Sequence, residues 1–259
     1  MKILVFGATG RIGRQVTRSA TERGHHVIAF VHQPDPVIAP GLNPAQPDAK
    51  AITWGQDVTV MTGDLLDPAT LARPVAAADA VVFAVGLRGH GPVRVRSAGI
   101  AAVIKEMRAA GVSRLVAVSP SAVAISPRAT LARKIALRNF IHKLNRNPFL
   151  DVERMEDELR LTDLNWSVIR AAPVRDWPAT GQYEVVPDGQ LRRERPVSAA
   201  DLGDFIVAHT TGRGQGRDTV IVTGVRGRRP REPRPAGNDP RDRPAVPDRP
   251  SAQKEGQAR

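Results

Sequence analysis

The chain has 259 residues, which fits one large domain or two small ones, and it contains no cysteine. The lack of cysteine excludes a disulfide framework, a thiolate nucleophile and a cysteine metal site. No apolar run approaches the roughly 20 residues of a membrane-spanning helix, and the short apolar opening does not fit an export signal. We therefore expect a cytoplasmic protein that does not act on a membrane.

The formal net charge of +12 is partly concentrated at one end of the chain. Residues 226–259 hold ten Lys or Arg, five Asp or Glu and seven prolines, with no aromatic residue. Such a segment cannot bury enough apolar surface to offset its ordering entropy, so we predict a disordered basic Pro/Arg-rich tail after one domain at residues 1–225. Because the tail mixes both charge signs and offers no aromatic platform for bases, nucleic acid is not the expected partner.

Apolar runs alternate with amphipathic helical segments along the predicted domain. The predicted strands are residues 2–7, 26–31, 58–63, 80–86, 114–119, 166–170 and 218–223. The predicted helices are residues 11–23, 68–77, 93–110, 129–145, 151–162 and 198–210. Near-continuous runs of Val, Ile, Leu and Ala are typical of strands covered by helices on both faces. The alternation predicts an α/β fold with a doubly wound, Rossmann-like parallel sheet.

Two segments interrupt this alternation. Residues 33–57 carry five prolines and no clear period, which predicts an irregular surface loop. Residues 171–197 contain β-forming runs around a Pro-Asp-Gly turn, which predicts a small C-terminal lid hairpin. Within this lid, Tyr183 and Trp177 are candidates to stack on a flat ring, although Trp177 can equally pack on the hairpin itself.

The first strand runs into the motif G-A-T-G-x-x-G, and a helical pattern follows. In this context Gly7 permits a tight turn, Gly10 lets the backbone approach a pyrophosphate, and Gly13 lets the helix pack close to the strand. The first amides of the helix favour an anion, and Thr9 adds a hydroxyl donor. A glycine motif with a strand before it and a helix after it predicts a dinucleotide site.

The end of the second strand indicates which dinucleotide is bound. NAD-selective sites place Asp or Glu there, on the ribose 2′-hydroxyl, whereas this chain has His32 and Gln33. His32 tolerates a 2′-phosphate, and Arg11 and Arg14 are near enough in sequence to add positive charge. We therefore predict NADP(H) as the cofactor, with NAD as the alternative. His32 can equally be a solvent-facing residue at the end of a strand.

The ends of the later strands supply further candidates. Asp64 follows the third strand, where its carboxylate or backbone can lie against the adenine. Gly86 ends the fourth strand, where the backbone can pass close to the cofactor ribose, and Arg88 can face a phosphate or the substrate. Ser119 and Ser121 follow the fifth strand, in the position nearest the nicotinamide, and are the candidate catalytic residues.

Acidic residues on the predicted helices have simpler interpretations. Asp67 is predicted to cap the helix that follows it. The cluster Glu153, Glu156, Asp157 and Glu158 is interpreted as a solvated face, with Glu156 as a candidate acid in the alternative interpretation. The six histidines show no metal-ligand spacing, so no metal site is predicted.

These motifs resemble the NAD(P)H-binding, NmrA-like type of atypical short-chain dehydrogenase/reductase, and in detail the flavin reductase/biliverdin-IXβ reductase group. The resemblance is carried by the glycine motif and by the segments GDLLDP (63–68), GVSRLVAVSPSA (111–122), LNWSVIRAAPV (164–174) and RPVSAADLGDFIV (195–207). It implies an NADPH site that comprises Gly7, Thr9, Gly10, Arg11, Ile12 and Gly13. It also implies contacts near Asp64, Gly86 and Ser119, and a substrate-assisting serine at Ser119 or Ser121.

The chain departs from its relatives at several positions. His32 stands where the reductase group usually carries an Arg, and residues 151–153 lack the group's histidine before the Arg-Met pair. The only tyrosine, Tyr183, is followed four residues later by Pro187. The Tyr-x-x-x-Lys pair of typical short-chain dehydrogenases is therefore absent, which argues against alcohol, ketone or sugar-nucleotide epimerase chemistry.

Two functions remain after these exclusions. The first is an NAD(P)H-dependent oxidoreductase that transfers hydride to a small planar conjugated acceptor of the flavin, quinone or bilin type. That reaction needs mainly proximity and stacking, because solvent can supply the proton. The alternative is a non-catalytic NADP(H)-binding redox sensor. The expected partner is a small-molecule acceptor, and the expected state is a monomer or weak dimer.

Overall fold

Ten strands lie in the part of the chain that the structure, a computed structural model, describes: residues 1–32, 55–86, 94–123, 146–212 and 216–225. The strands are β1 (Lys2–Phe6), β2 (His26–His32), β3 (Val58–Gly63), β4 (Ala80–Phe83), β5 (Arg114–Pro120), β6 (Asn165–Ala171), β7 (Val174–Arg175), β8 (Tyr183–Pro187), β9 (Val197–Ser198) and β10 (Asp218–Gly224). Each of the seven predicted strands coincides with an observed one. The largest difference is at residues 80–86, because β4 ends at Phe83.

Eight of these strands form one sheet in the order β3-β2-β1-β4-β5-β6-β10-β8. Every neighbouring pair is parallel except β8 and β10, which are antiparallel. β7 and β9 form a separate parallel pair. The predicted doubly wound parallel sheet is therefore confirmed. Its strand order reverses between β1 and β4, so their carboxyl ends flank the crevice where such sheets bind ligands.

The α-helices in the described ranges cover both faces of the sheet. They are α1 (Arg11–Glu22), α2 (Pro68–Ala76), α3 (Val95–Ala110), α4 (Arg146–Arg160) and α5 (Ala199–Thr211). Leu4 and Phe6 of β1 belong to the core beneath α2, α3 and α4, whereas Ile3 and Val5 belong to the core beneath α1 and α5. Burial on both faces explains why the strands read as continuous apolar runs.

The segment predicted as a lid hairpin is arranged differently. The Pro-Asp-Gly turn forms, and Gln190 N donates to Pro187 O at 3.2 Å. The strand before the turn, however, does not pair with the residues after it. β8 instead joins the edge of the main sheet, with Val186 beside Ile221 of β10. The hairpin prediction is therefore wrong, because an open sheet edge offered β8 a complete row of backbone partners.

The described residues all belong to one compact unit, Met1–Arg228. Within them, no helix has the length and hydropathy required to cross a bilayer. Three predicted segments fall wholly or largely outside the described residues: the loop at 33–57, the helix at 129–145 and the tail at 226–259.

Candidate functional site

The turn between β1 and α1 is closed by backbone and packed without room for side chains at two of its glycines. Gly10 N donates to Gly7 O at 2.9 Å. Gly7 has φ +78°, and a Cβ there would lie 2.4 Å from Ala84 O. A Cβ at Gly13 would lie 2.1 Å from Gly7 O. These two glycines therefore let the turn touch the end of β4 and let the helix touch the turn.

The other two predicted glycines are less crowded. Among the described atoms, a Cβ on Gly10 would meet only Gly7 O, at 3.1 Å. No described atom lies within 4 Å of a Cβ built on Gly86. The backbone at the carboxyl ends of β1 and β4 is thus accessible from the crevice, as close approach of a ligand requires.

The first turn of α1 differs from those of two other helices. Asp67 Oδ1 accepts a hydrogen bond from Ala69 N at 3.0 Å and caps α2, as predicted, and Ser198 Oγ accepts from Ala200 N at 3.1 Å at the start of α5. Within the described residues no side chain caps α1, and its first turn contains no acidic residue. Its unpaired N–H groups and the positive end of its dipole suit a phosphate.

Side chains of the motif surround this turn. Thr9 and Ile12 are half-buried beside it. The Arg11 guanidinium donates to Val174 O at 3.2 Å, and its Nε lies 3.2 Å from Asp176 Oδ1. Both side chains of this ion pair are more than half exposed, so it is open to solvent and to competition from a phosphate.

The candidates for the adenosine half of a dinucleotide lie at the surface. His32 is exposed at the end of β2, and Arg14 is exposed on α1. Asp64 is exposed too, although its Oδ1 accepts from Leu66 N at 2.9 Å and closes its own turn. Arg88 lies outside the described residues. Their contacts with a cofactor remain predictions.

Ser119 and Ser121 lie where predicted, at the carboxyl end of β5, but both are buried, with exposed fractions of 3%. Ser119 Oγ donates to Glu156 Oε1 at 2.7 Å. Ser121 Oγ donates to Glu194 Oε1. Each hydroxyl hydrogen is therefore held by a carboxylate, and contact of either serine with an acceptor requires this arrangement to change.

Glu156 is the centre of a hydrogen-bonded cluster, hereafter the Glu156 network, made by Ser119, Glu156, Arg160, Arg170 and Asp188. Arg170, at the end of β6, donates two hydrogen bonds to Glu156: from Nε to Oε1 at 3.1 Å and from Nη2 to Oε2 at 2.6 Å. Its third nitrogen, Nη1, donates to Asp188 Oδ1 at 2.5 Å. Arg160 Nη2 donates to Glu156 Oε2 at 2.7 Å. The cluster joins α4, β5, β6 and the turn after β8.

The charge state of Glu156 follows from these contacts. Burial alone raises the pKa of its carboxyl, but the hydrogen bonds and charge of Arg170, with those of Ser119 and Arg160, outweigh burial and hold that pKa below its usual value. The same partnership raises the pKa of Arg170 despite its burial. Glu156 is therefore a fixed anion, which does not suit the alternative role of proton-donating acid.

The interpretation of the acidic cluster as a solvated face is wrong for Glu156. It is 1% exposed, whereas the neighbouring Asp157 side chain is 68% exposed. The sequence does contain the signal for this difference. Glu156 is four residues after Val152 and three before Leu159, both of which are buried, so helical periodicity places all three on the inner face of α4.

A second carboxylate of α4 also has a structural role that the sequence did not indicate. Asp151, 2% exposed, accepts from Arg96 N at 3.0 Å, from Ser97 N at 3.1 Å and from Ser97 Oγ at 2.6 Å. Asp151 thereby provides hydrogen-bond acceptors for N–H groups in the first turn of α3. The side chain of Arg96 then donates from Nε to Val85 O at 3.0 Å, just beyond β4.

The two aromatic candidates for stacking have structural partners. The ring of Tyr183 packs edge-on against Phe205 of α5, with centroids 5.7 Å apart, and burial raises the pKa of its hydroxyl. Trp177 is half-buried, and its carbonyl oxygen accepts from Ser198 Oγ at 2.7 Å. Tyr183 is thus part of the α5 packing, and stacking by Trp177 stays a prediction.

Comparison with known proteins agrees with this geometry. The sequence profile of an NAD(P)H-binding family matches residues 7–211. The photosystem II assembly factor Ycf39 of Synechocystis sp. is 28% identical over 189 residues, which cover 71% of this chain and 48% of that protein. The chain therefore spans about half the length of this curated relative.

Two solved structures share the fold. A short-chain dehydrogenase/reductase of Veillonella parvula in complex with NADP has a TM-score of 0.67 at 20% identity, with 87% of this chain and 95% of that chain covered. ChuY, an anaerobillin reductase from Escherichia coli O157:H7, has a TM-score of 0.64 at 19% identity, with 89% and 100% covered. The resemblance drawn from the motifs is confirmed, and we conclude that the chain belongs to the NAD(P)H-binding family.

Proposed function

We propose that this protein is an NADPH-dependent reductase of a small planar conjugated acceptor. The observation that carries the proposal is the uncapped start of α1 beside the open backbone at Gly10 and Gly86. This surface adjoins the carboxyl ends of β4 and β5, where the acceptor half of such a site is expected. The family assignment and the similarity in fold to a reductase support the same function.

In this proposal each part of the crevice holds one part of the cofactor. The amides that follow Gly10 hold the diphosphate, and the backbone at Gly86 lies along a ribose. His32 and Arg14 are near the 2′-phosphate, which is why we propose NADPH over NADH. When bound, the cofactor supplies a hydride, and the protein supplies position and exclusion of water.

The proton balance also supports this class of acceptor. Within the described residues, the hydrogens of Ser119 and Ser121 are held by carboxylates, and Glu156 is ionised. These three candidates therefore do not donate a proton in this arrangement. A flavin, quinone or bilin suits such a site, because water can protonate the reduced product after transfer.

The test is oxidation of NADPH with flavin mononucleotide, a quinone or a bilin, combined with direct binding of the cofactor. Gly10→Val fills the space next to the turn and should abolish NADPH binding. Gly55→Val is the matched control, because Gly55 lies far along the chain from the motif and no described atom is within 4 Å of its added Cβ. Normal NADPH binding by Gly10→Val would show that the phosphates do not lie at this turn.

A redox sensor remains the second candidate, and one observation favours it. The buried serines and the ionised Glu156 leave these candidates without a proton to donate, which a binding protein does not need. Tight NADPH binding without turnover of any of the three acceptors would support the sensor, whereas turnover with any one would exclude a purely sensory role.

A further inference from the structure

One segment of the chain runs beside β10 and reaches the carboxyl ends of β5 and β6 through two of its side chains. We call residues 188–195 the strap. Its two ends are held at β10 through their own N–H groups, because Asp188 N donates to Thr219 O at 3.3 Å and Arg195 N donates to the side-chain oxygen Oγ1 of Thr223 at 2.9 Å. Between these ends the side chain of Leu191 is buried. The strap is therefore fixed where it meets β10 and bears on the sheet in between.

Two carboxylates of the strap reach residues of the expected acceptor site. Asp188 accepts from Arg170 Nη1 at the end of β6, and Glu194 accepts from Ser121 Oγ just after β5. The Asp188 side chain is 43% exposed, whereas that of Arg170 is 4% exposed. The carboxylate at this contact thus borders solvent, while the guanidinium is part of the interior.

The two sides of the contact are held by different partners. Glu156 binds two nitrogens of Arg170, so the guanidinium keeps a two-point partner when the contact with Asp188 is lost. The Asp188 carboxylate lies at the surface in its own turn, where Oδ1 also accepts from Gly189 N at 2.8 Å. If the two carboxylate side chains turned away, Arg170 Nη1 and Ser121 Oγ would lose these acceptors at buried positions, which is costly unless another acceptor replaces them.

We propose that Asp188 and Glu194 occupy the place of an anionic group, and that the acceptor carries a carboxylate or phosphate which replaces them on Arg170 and Ser121. This inference rests on the proposed reductase function and names its substrate class. An anion restores the charge-assisted hydrogen bonds that are lost when the two carboxylates turn away. A neutral acceptor leaves both donors unpaired, so the site discriminates against it. Arg192 and Arg193, exposed on the strap, add positive charge nearby.

Flavin mononucleotide and riboflavin test this directly, because they share one ring system and differ by a phosphate. Their binding is measured by calorimetry with NADP⁺ present and without turnover. We expect flavin mononucleotide to bind at least about tenfold tighter, as one well-paired charged hydrogen bond allows. Asp188→Asn removes the negative charge that competes with the phosphate for Arg170, so the preference for flavin mononucleotide over riboflavin should increase several-fold. Glu184→Gln, which removes the same charge from an exposed position on β8, should leave it unchanged.

Limited trypsin digestion gives a readout that needs no turnover. Cleavage after Arg192 or Arg193 reports opening of the strap, and flavin mononucleotide should accelerate it whereas riboflavin should not. Asp188→Asn should accelerate it without any flavin. Equal affinity for the two flavins, no binding of either, or identical behaviour of Asp188→Asn and Glu184→Gln would overturn the inference. If the flavin preference holds but NADPH is never oxidised, the proposed reductase function fails while the anion site stands.

Discussion

The glycine turn and the Glu156 network lie at the same edge of the sheet, but they differ in whether their polar groups have hydrogen-bond partners within the protein. At the turn, no described side chain caps α1, and a Cβ on Gly10 would meet one described atom, Gly7 O. In the network, Glu156 and Arg170 are almost completely buried, and each is bonded to several partners. The first turn of α1 therefore leaves backbone N–H groups that a ligand can bind. In the Glu156 network, by contrast, the charged groups already have partners within the protein.

This difference predicts that the glycine turn contributes mainly to ligand binding and that the Glu156 network contributes mainly to stability of the fold. Unpaired amides at a helix start gain their partner only when an anion arrives, so substitutions there should affect ligand affinity more than folding. A buried ion pair is part of the folded state, so removal of one member should affect stability first. The following predictions test that division, from the largest expected effect to the smallest.

Removal of the central carboxylate should have the largest effect. Glu156→Ala leaves the buried Arg170 guanidinium without its two-point partner and should lower the free energy of unfolding by about 3–5 kcal/mol. Urea denaturation measures this loss. Glu158→Ala is the matched control, since Glu158 is an exposed residue of the same helix and its loss should cost less than about 0.5 kcal/mol. Similar values for the two variants would contradict the assignment of Glu156 as a structural anion.

The two kinds of glycine in the turn should respond differently to one added methyl group. Gly13→Ala places a Cβ 2.1 Å from Gly7 O, where only backbone movement can relieve the clash, and should cost about 1–3 kcal/mol of stability. Gly10→Ala meets its nearest described atom at 3.1 Å and should cost less. Thermal unfolding of both variants without cofactor makes the comparison. A larger loss for Gly10→Ala than for Gly13→Ala would reverse our account of the turn.

The smallest effect should come from the opposite edge of the sheet. His209, at the amino ends of β6 and β10, bonds Ser167 Oγ at 3.1 Å. Burial lowers the pKa of His209, with Asp218 opposing and Arg114 reinforcing that shift. The unfolded chain therefore binds more protons than the folded one, so stability should fall as the pH drops below about 6.5, the usual histidine value.

Urea unfolding at several pH values measures this slope, which His209→Gln should reduce. Because the residue is distant from both regions of the carboxyl edge, NADPH affinity should not follow the same titration. A pH slope unchanged in His209→Gln would assign the titration to another group.

The parts of the molecule that were predictable from sequence are those coded by nearby residues. Strand runs, the glycine turn and the Asp67 cap depend on contacts within a few positions, and they were identified correctly. The lid hairpin was not, because β8 finds its partner in β10, more than 30 residues later. Arg170 was missed for the same reason, because the sequence of its strand does not indicate that its partners are Glu156 on α4 and Asp188 in the strap.

One helix links the two halves of the candidate site. α4 carries Asp151, which reaches the end of β4 through the start of α3, and Glu156, which reaches the ends of β5 and β6. The two carboxylates are five residues apart, or about 7.5 Å along a helix axis. The helical rise of α4 therefore sets a fixed distance between the two regions that we propose for the dinucleotide and for the acceptor. Deletion or insertion of one residue between positions 151 and 156 should disturb both at once.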